Sequence, residues 1–306
     1  MYKNRIKMAA LIKTFNSVPE STHQVSIGTS VEQMHAHQDQ TYSGKFVDEE
    51  TGERGDWAMV TDGHGLSTCI NFLRSIPSDV MDGFIGSPSP AISLFDYVNA
   101  NVKLRSGECS GATMCLVKVY SDRVVCINVG DSQAAVYKNG QLAFLTVEHN
   151  TSNEREKERL RALYPSIYFM PSQTIVLLTE SKMTHAYSEY AKFSNKVMLA
   201  TTQALGHNGM TGISPDVTTI PYGPGDVVQV VIGSDGFWDM VMKNNDDEML
   251  SFASKSNDEL LTWCVGRWLQ EWEMQHDRNI EKSFKSSYER DQCDDVCVVK
   301  IDVTCV

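Results

Sequence analysis

Hydrophobic and polar positions along the chain follow two periods, which predict strands and helices in separate groups. Short apolar runs typical of buried strands occupy 25–29, 57–61, 112–120, 123–129, 134–137, 142–145, 227–232 and 296–303. Helical spacing or helix-like composition is found in 66–76, 92–104, 153–163, 246–254 and 258–274. The dipeptides Ser121-Asp122 and Asn139-Gly140 stand between successive strands. Each of these two sites therefore predicts a hairpin.

The grouping of these elements predicts an α+β fold. Hairpin-joined strands with helices between the groups indicate packed layers rather than a regular succession of β-α-β units. Residues 44–55 are polar and contain several glycines, which predicts a loop before the strand at 57–61. Ser67 or Thr68 is the predicted cap of the helix at 66–76. We expect residues 1–23 to form a variable lead-in and residues 24–306 to form a single domain.

Composition narrows the classes of partner. The 306 residues carry 27 lysines and arginines against 39 aspartates and glutamates, so the net charge is −12. An acidic chain is not expected to bind nucleic acid or an anionic membrane surface. The apolar stretch at 8–12 is too short for a signal sequence, and no run approaches the length of a membrane-spanning helix. We expect a monomer in the cytoplasm, with the nucleus as the alternative compartment.

Cysteine usage fits a reducing compartment. The eight cysteines include no Cys-x-x-Cys pair, so a structural zinc site is not expected. Cys115, Cys126 and Cys297 lie inside apolar runs. They are predicted to be small buried thiols rather than reactive groups.

Four aspartates that are far apart in sequence carry the candidate chemistry: Asp39, Asp62, Asp235 and Asp294. Three of them stand at the ends of strand-like runs, and the end of a strand aims a side chain rigidly. Several carboxylates aimed at one point repel one another unless a cation lies between them. Oxygen ligands of this kind suit two hard divalent ions, which favours Mg²⁺ or Mn²⁺ over Zn²⁺.

Each motif also has an ordinary structural explanation. Asp62-Gly63-His64-Gly65 is equally consistent with a tight turn beside a buried histidine. Ser234 to Asp239 repeats an Asp-Gly pair after a second buried strand, with Asp239 one helical turn beyond Asp235. Trp238 is predicted to belong to the core rather than to a substrate platform. Taken singly, none of these motifs establishes a metal site.

The ordered series of motifs resembles the metal-dependent protein phosphatases of the 2C class. The matching blocks are Gln38-Asp39, Val60 to Gly65, Ser110 to Thr113, Asn128 to Ser132, Glu148-His149, Ala204 to Gly206, Ser234 to Asp239 and Asp294 to Val299. The resemblance implies a sandwich of two antiparallel β-sheets with helices on both outer faces. It also implies hydrolysis of phosphoserine and phosphothreonine in proteins by a metal-activated water at a dinuclear centre.

The resemblance assigns roles by position. Asp62 would bridge two Mg²⁺ or Mn²⁺ ions, and the carbonyl of Gly63 would complete the shell of one ion. Asp235 and Asp294 would hold the other ion, with Asp39 acting through metal-bound water. Asp131 and Asp239 match the positions of a third, weaker ion, and His64 matches the proposed general acid.

The chain departs from the family pattern at the phosphate grip. Met34 occupies the position at which the family places an arginine, and methionine offers no bidentate donor to phosphate. His35, His37 and Lys45 are the nearby candidates for compensation. The phosphate-binding residue is therefore unknown from the sequence.

Further departures remove charge from neighbouring blocks. Gln38 replaces a glutamate, and the block Arg-Ala-Leu-Gly-Asp reads Gln203 to His207. These changes leave two alternatives to an active protein phosphatase. One is a pseudophosphatase, a binding or regulatory module on the same fold, and the other is a phosphatase for a small phosphate compound.

Overall fold

The computed structural model describes residues 23–171, 175–178, 183–185, 189–276 and 283–305. Most of the predicted lead-in therefore lies outside the described residues. The strands are β1 His23–Glu32, β2 Asp39–Val47, β3 Arg54–Gly65, β4 Ser110–Ala112, β5 Met114–Val119, β6 Arg123–Val129, β7 Gln133–Lys138, β8 Gln141–Leu145, β9 Tyr168–Pro171, β10 Ile175–Leu178, β11 Met183–His185, β12 Glu189–Lys192, β13 Met198–Leu199, β14 Leu205–Gly206, β15 Asp216–Pro221, β16 Val227–Gly233, β17 Trp272–His276, β18 Ser283–Ser286 and β19 Val296–Cys305. The helices are α1 Thr68–Ser75, α2 Ser78–Gly86, α3 Pro90–Asn101, α4 Glu154–Leu163, α5 Asp235–Trp238, α6 Asp246–Ser251 and α7 Asn257–Leu269.

Two large antiparallel sheets form the centre of the fold. One has the strand order β1-β19-β16-β7-β8, and the other has the order β14-β4-β3-β5-β6-β15 with β2 paired to β3. Two smaller sheets, β11-β10-β17-β18 and β13-β12-β9, are built from the later part of the chain. Each strand pairing within these sheets is antiparallel.

Side-chain alternation along the strands produces three apolar layers. On β3, Ala58 and Val60 join an inner layer shared with β16 and β19, whereas Trp57 and Met59 face α1, α2 and α3. On the other sheet, Val230 faces the inner layer while Val231 faces the layer containing α5 to α7. The expected α+β sandwich with helices on both outer faces is therefore confirmed. The middle parts of its central strands are mostly apolar because both faces of each sheet are covered.

Several element boundaries differ from the prediction. The loop predicted at 44–55 is wrong in its first part, because β2 extends to Val47 and pairs with β3. The helix predicted at 258–274 ends at Leu269, and Trp272–His276 forms strand β17 instead. Helix α2 and strand β15 were not predicted, because their apolar positions are too few to show a clear period.

Local turn chemistry explains other boundaries. Asn139 and Gly140 both have positive φ, as the predicted hairpin turn requires. Ser67 precedes α1 but makes no side-chain capping bond, so the capping prediction there is wrong. Ser256 caps α7 through a reciprocal bond pair with Glu259. Within the described part of the chain, no helix is long and apolar enough to span a membrane.

Candidate metal centre

The centre lies at one end of the sandwich, where both large sheets contribute carboxylates. Asp39 at the start of β2 is paired in register with Asp62 on β3. Asp235 begins α5 directly after β16, and Asp294 lies two residues before β19. The backbone N–H of Asp239 donates to the carbonyl of Asp235 at 2.7 Å, so this aspartate follows one helical turn later as predicted.

Three of the carboxylates are in direct proximity. Asp62, Asp131 and Asp235 each offer an oxygen within 4.8 Å of the other two. The family resemblance assigned Asp131 to a third ion, whereas in the structure Asp131 lies in the same group as Asp62 and Asp235. Asp39, Asp239 and Asp294 act electrostatically on this group or on one another. The fold therefore brings together every aspartate that the sequence singled out.

The strand through Asp62 does not turn where the sequence suggested. β3 continues through Gly65, so the Asp62-Gly63 pair is extended backbone rather than a tight turn. Gly65 alone in this motif has positive φ, at 76°. The extended backbone continues beyond Val60, the last residue of β3 paired with β5, and it pairs Asp62 with β2 and His64 with β4.

Burial and mutual repulsion shape the acidity of these groups. Removal from water, together with the smaller effect of the charge of Asp235, raises the pKa of Asp39 to about 7 and that of Asp131 to about 8. Desolvation and neighbouring aspartates also raise the pKa of Asp62, Asp239 and Asp294. Such a cluster holds its negative charge poorly by itself. It is suited to a bound cation.

Two buried carboxylate oxygens without hydrogen-bond partners indicate whether a metal ion suits this site. Oδ2 of Asp39 and Oδ1 of Asp131 are buried, and neither has a hydrogen-bond partner among the described residues. A buried carboxylate oxygen without a donor is costly unless a cation or water satisfies it. The donor set is made of carboxylate oxygens, which is the chemistry that Mg²⁺ and Mn²⁺ prefer. The residues present therefore fit a divalent metal centre.

Asp295, a buried aspartate that the sequence analysis did not single out, fixes the segment that precedes β2. Oδ1 of Asp295 accepts the backbone N–H groups of Met34 and His35 at 2.7 Å each, and Oδ2 accepts that of Gln38 at 2.8 Å. Asp295 is 2% exposed, so these three hydrogen bonds are shielded from solvent. The loop that delivers Asp39 is anchored to the start of β19. The sequence signal was the doubled aspartate before an apolar run.

The position at which the family places an arginine belongs to the hydrophobic core in this chain. Met34 is buried in the apolar layer that includes Trp238 and Val296. Lys45 pairs with Asp56 near the opposite end of β3, so it cannot compensate at the metal centre. Trp238 is buried and its Nε1–H donates to the carbonyl of Gln133, which confirms its predicted core role.

An ion pair borders the centre on one side. The ammonium of Lys243 contacts the carboxylate of Glu148. The charge of Lys243 lowers the pKa of both Asp235 and Asp239, against the larger effect of burial. This side chain is a built-in cation beside the cluster, and the sequence reading did not identify it.

His64 contacts a second histidine. Nε2 of His64 and Nε2 of His207 are 2.8 Å apart, and desolvation lowers the pKa of His64 to about 4 and that of His207 to about 3. His207 also lines a pocket of about 230 Å³ together with Arg105, Tyr164 and Asn208. No sequence motif indicates this contact, because 143 positions separate the two residues.

We expect the stability of the metal-free protein to fall as pH rises from about 4 to about 8. An unfolded aspartate titrates near 4, whereas the pKa of folded Asp39 is about 7 and that of Asp131 about 8. The folded state binds more protons in this interval, so deprotonation favours unfolding. Urea unfolding with a chelator across this pH range measures the effect. A free energy of unfolding that rises with pH would contradict it.

Sequence comparison identifies relatives over most of the chain. The profile of the family "Protein phosphatase 2C" matches residues 19–260, so Asp294 lies beyond the match. The chain is 29% identical to "Probable protein phosphatase 2C 21" of Oryza sativa subsp. japonica over 44% of its own length and 36% of that protein. It is 28% identical to "Protein phosphatase 1B" of Rattus norvegicus, covering 68% of this chain and 57% of that one. The aligned parts thus span less than two thirds of either relative.

Solved structures share the fold at low sequence identity. A C. elegans sex-determining protein aligns with a TM-score of 0.57 at 19% identity, over 91% of this chain and 64% of that one. The serine-threonine phosphatase 2C from Toxoplasma gondii aligns with a TM-score of 0.54 at 14% identity, over 92% of this chain and 95% of that one. These likenesses support the two-sheet architecture described above.

Proposed function

The chain belongs to the protein phosphatase 2C family, and we propose that it is a divalent-metal-dependent hydrolase of phosphoserine and phosphothreonine in proteins. The observation that carries the proposal is the cluster of Asp62, Asp131 and Asp235, whose oxygens lie within 4.8 Å of one another. Family membership supplies the reaction class. The cluster supplies the metal ligands that this reaction needs. Its negative charge attracts divalent cations, and cations bound there can receive the phosphate group.

The proposed roles follow the family positions. Asp62 would be shared by two ions, the carbonyl of Gly63 would serve one of them, and Asp235 and Asp294 would hold the other. Asp39 would act through water, Asp131 and Asp239 would hold a third ion, and His64 would be the general acid. When bound, Mg²⁺ or Mn²⁺ ions supply an activated water and neutralise the phosphoryl charge. The protein side chains orient the substrate and keep the ligand oxygens in place. No cysteine nucleophile is required.

The burial of the supporting residues favours a rigid site. Asp39 is 1% exposed, and the loop before it is fixed by Asp295. A ligand set that is already ordered loses little conformational entropy when it binds metal. The geometry therefore supports binding of metal without folding of the site around it.

The test of the proposed function is metal-dependent release of phosphate. Purified protein is assayed with p-nitrophenyl phosphate and with a phosphothreonine peptide, in Mn²⁺ or Mg²⁺ and in excess chelator. We expect hydrolysis that requires metal and returns when metal is restored. Absence of release from both substrates at saturating metal would refute the proposal.

A second candidate function is that of a pseudophosphatase, a binding or regulatory module. The observation that favours it is Met34, which fills the arginine position with a buried apolar side chain. Metal titration separates the two readings. A regulatory module would bind Mn²⁺ weakly, or bind it without turnover.

Substitution of Met34 by arginine is expected to destabilise the fold rather than to repair the site. The guanidinium would enter the apolar layer around Trp238 without a described partner, at a cost on the order of 3–5 kcal/mol. Chemical denaturation of Met34→Arg measures this loss. The exposed Met198 offers a matched control, Met198→Arg. Catalysis that appears in Met34→Arg and is absent from the parent protein would favour the regulatory module.

A further inference from the structure

A pocket beside the candidate metal centre takes no part in the proposed reaction. It has a volume of about 230 Å³ and lies between the segments 105–108, 193–195 and 207–210. Most side chains in its wall are polar, and Arg105 is the only arginine or lysine among the described residues that line it. The pocket therefore has room for one side chain of a bound polypeptide, next to a single permanent positive charge.

Strand register connects this pocket to the metal centre. His64 on β3 is opposite Gly111 on β4, and Gly111 is opposite Gly206 on β14, directly before His207. A Cβ on Gly111 would lie 2.2 Å from Nε2 of His207 and 2.9 Å from Nε2 of His64, so both rings lie over this glycine. His64 and Asp62 are two residues apart on one strand and point to the same face. The pocket is thus on the order of 10 Å from the centre, which an extended chain crosses in about three residues.

Hydrogen bonds fix the part of the wall that carries Arg105. Its backbone N–H donates to Oε2 of Glu108 at 2.9 Å, and the N–H of Glu108 donates to the carbonyl of Arg105 at 3.1 Å. The side chain of Asn208 accepts from the N–H of Leu104 and donates to its carbonyl, at 3.0 Å each. These bonds join the two sides of the pocket, so Arg105 extends from a backbone position that is already ordered.

The guanidinium of Arg105 has no hydrogen-bond or ion-pair partner among the described residues, although its backbone is held. Arg123, Arg155 and Arg267, by contrast, each form an ion pair with a carboxylate. Glu108, the other charged residue of the wall, already accepts the backbone N–H of Arg105. A guanidinium offers a planar pair of donors that matches a carboxylate or a phosphate. The available charge in this pocket therefore suits an anionic group.

We propose that the pocket at Arg105 binds a second anionic group of the substrate polypeptide, about three residues from the phosphorylated serine or threonine. This inference rests on the proposed function. The group is the carboxylate of an acidic residue or a second phosphate, because a guanidinium recognises both through the same pair of hydrogen bonds. The net charge of −12 disfavours acidic peptides in general. A preference for them consequently has a local cause.

Phosphothreonine peptides that differ at one position measure this preference. Alanine, aspartate, phosphoserine or lysine is placed one to four residues before or after the phosphothreonine, and mass spectrometry follows loss of the phosphothreonine phosphate. At one position, we expect aspartate or phosphoserine to raise kcat/KM about tenfold over alanine. The group with the larger effect identifies the source of the anion.

Variants of Arg105 locate the preference. Arg105→Gln is expected to remove it, and Arg105→Glu is expected to transfer it to lysine at the same position. Arg54→Gln is the matched control, because Arg54 is exposed at the start of β3, the opposite end from Asp62. The control should keep the preference of the parent protein.

The proposal is overturned if no position favours an anionic residue in the parent protein, or if the preference survives in Arg105→Gln. A parent protein that favours lysine would assign the pocket to Glu108 and would also overturn it. Hydrolysis of none of the peptides would refute the proposed function. Fluorescence anisotropy of labelled peptides with the parent protein and Arg105→Gln in Mn²⁺ would then test the pocket by binding alone.

Discussion

Replacement of Asp62 by asparagine is expected to remove nearly all metal-dependent phosphatase activity. Asp62 lies at the centre of the cluster, where Asp235, Asp39 and Asp294 all act on its charge. The amide keeps the size of the side chain but removes its negative charge. The family resemblance implies that both metal ions use this charge. A loss of several kcal/mol of charge stabilisation corresponds to a decrease of about 10²–10³-fold in kcat/KM. Steady-state assays at saturating Mn²⁺ measure it.

The fold of the Asp62→Asn protein should remain intact. Removing one carboxylate relieves repulsion in the metal-free state, so the Tm in chelator should equal or exceed that of the parent protein. The rise in Tm on adding Mn²⁺ should shrink, since it reports metal affinity. Asp96→Asn is the matched control, because Asp96 is exposed on α3. Retention of kcat/KM within about threefold in Asp62→Asn would place the chemistry elsewhere.

Replacement of Asp295 by alanine is expected to be the most destabilising single change beside the centre. Three backbone N–H groups, from Met34, His35 and Gln38, donate to this carboxylate. Hydrogen bonds to a charged group contribute about 1.5–3 kcal/mol each, and a buried donor left without a partner adds a penalty. We expect a loss on the order of 3–5 kcal/mol of unfolding free energy, measured by urea denaturation in chelator.

The same substitution should weaken metal binding, because the loop that it frees leads directly to Asp39. Calorimetric titration with Mn²⁺ measures this second effect. Asp295→Asn should be intermediate, since its amide oxygen can still accept two of the three bonds. Asp291→Ala is the control, because Asp291 is exposed on the same approach to β19. Equal stability of Asp295→Ala and the control would show that the loop holds its place by other contacts.

The layers of the fold were predictable because a strand that is buried on both faces has a mostly apolar sequence. The runs at 57–61 and 227–232 are apolar except for Thr61 and Gln229, and both form central strands covered by helices. The wrong predictions of helices and strands lie where the apolar pattern is weak or fits both kinds of element. Trp272 continues the helical stripe of α7 in sequence, yet it packs from β17, since a short apolar run suits either element.

The candidate residues of the centre were predictable for a related reason. Carboxylates at the ends of apolar runs are unusual, and their order along the chain carried the family resemblance. Their grouping was not predictable. Asp131 joins Asp62 and Asp235 only because β6, β3 and β16 end on the same side of the sandwich. Strand register sets that geometry, and register depends on pairing between distant segments.

The sequence by itself determined the alternation that builds two sheets and the aspartates that can hold a cation. Tertiary structure alone decided which neighbours modify them. It put Met34 into the core, made Asp295 the anchor of the Asp39 loop, and brought His207 against His64. The reason is physical: periodicity and charge are local properties of a chain, whereas a contact across 143 positions arises from the packing of the whole domain.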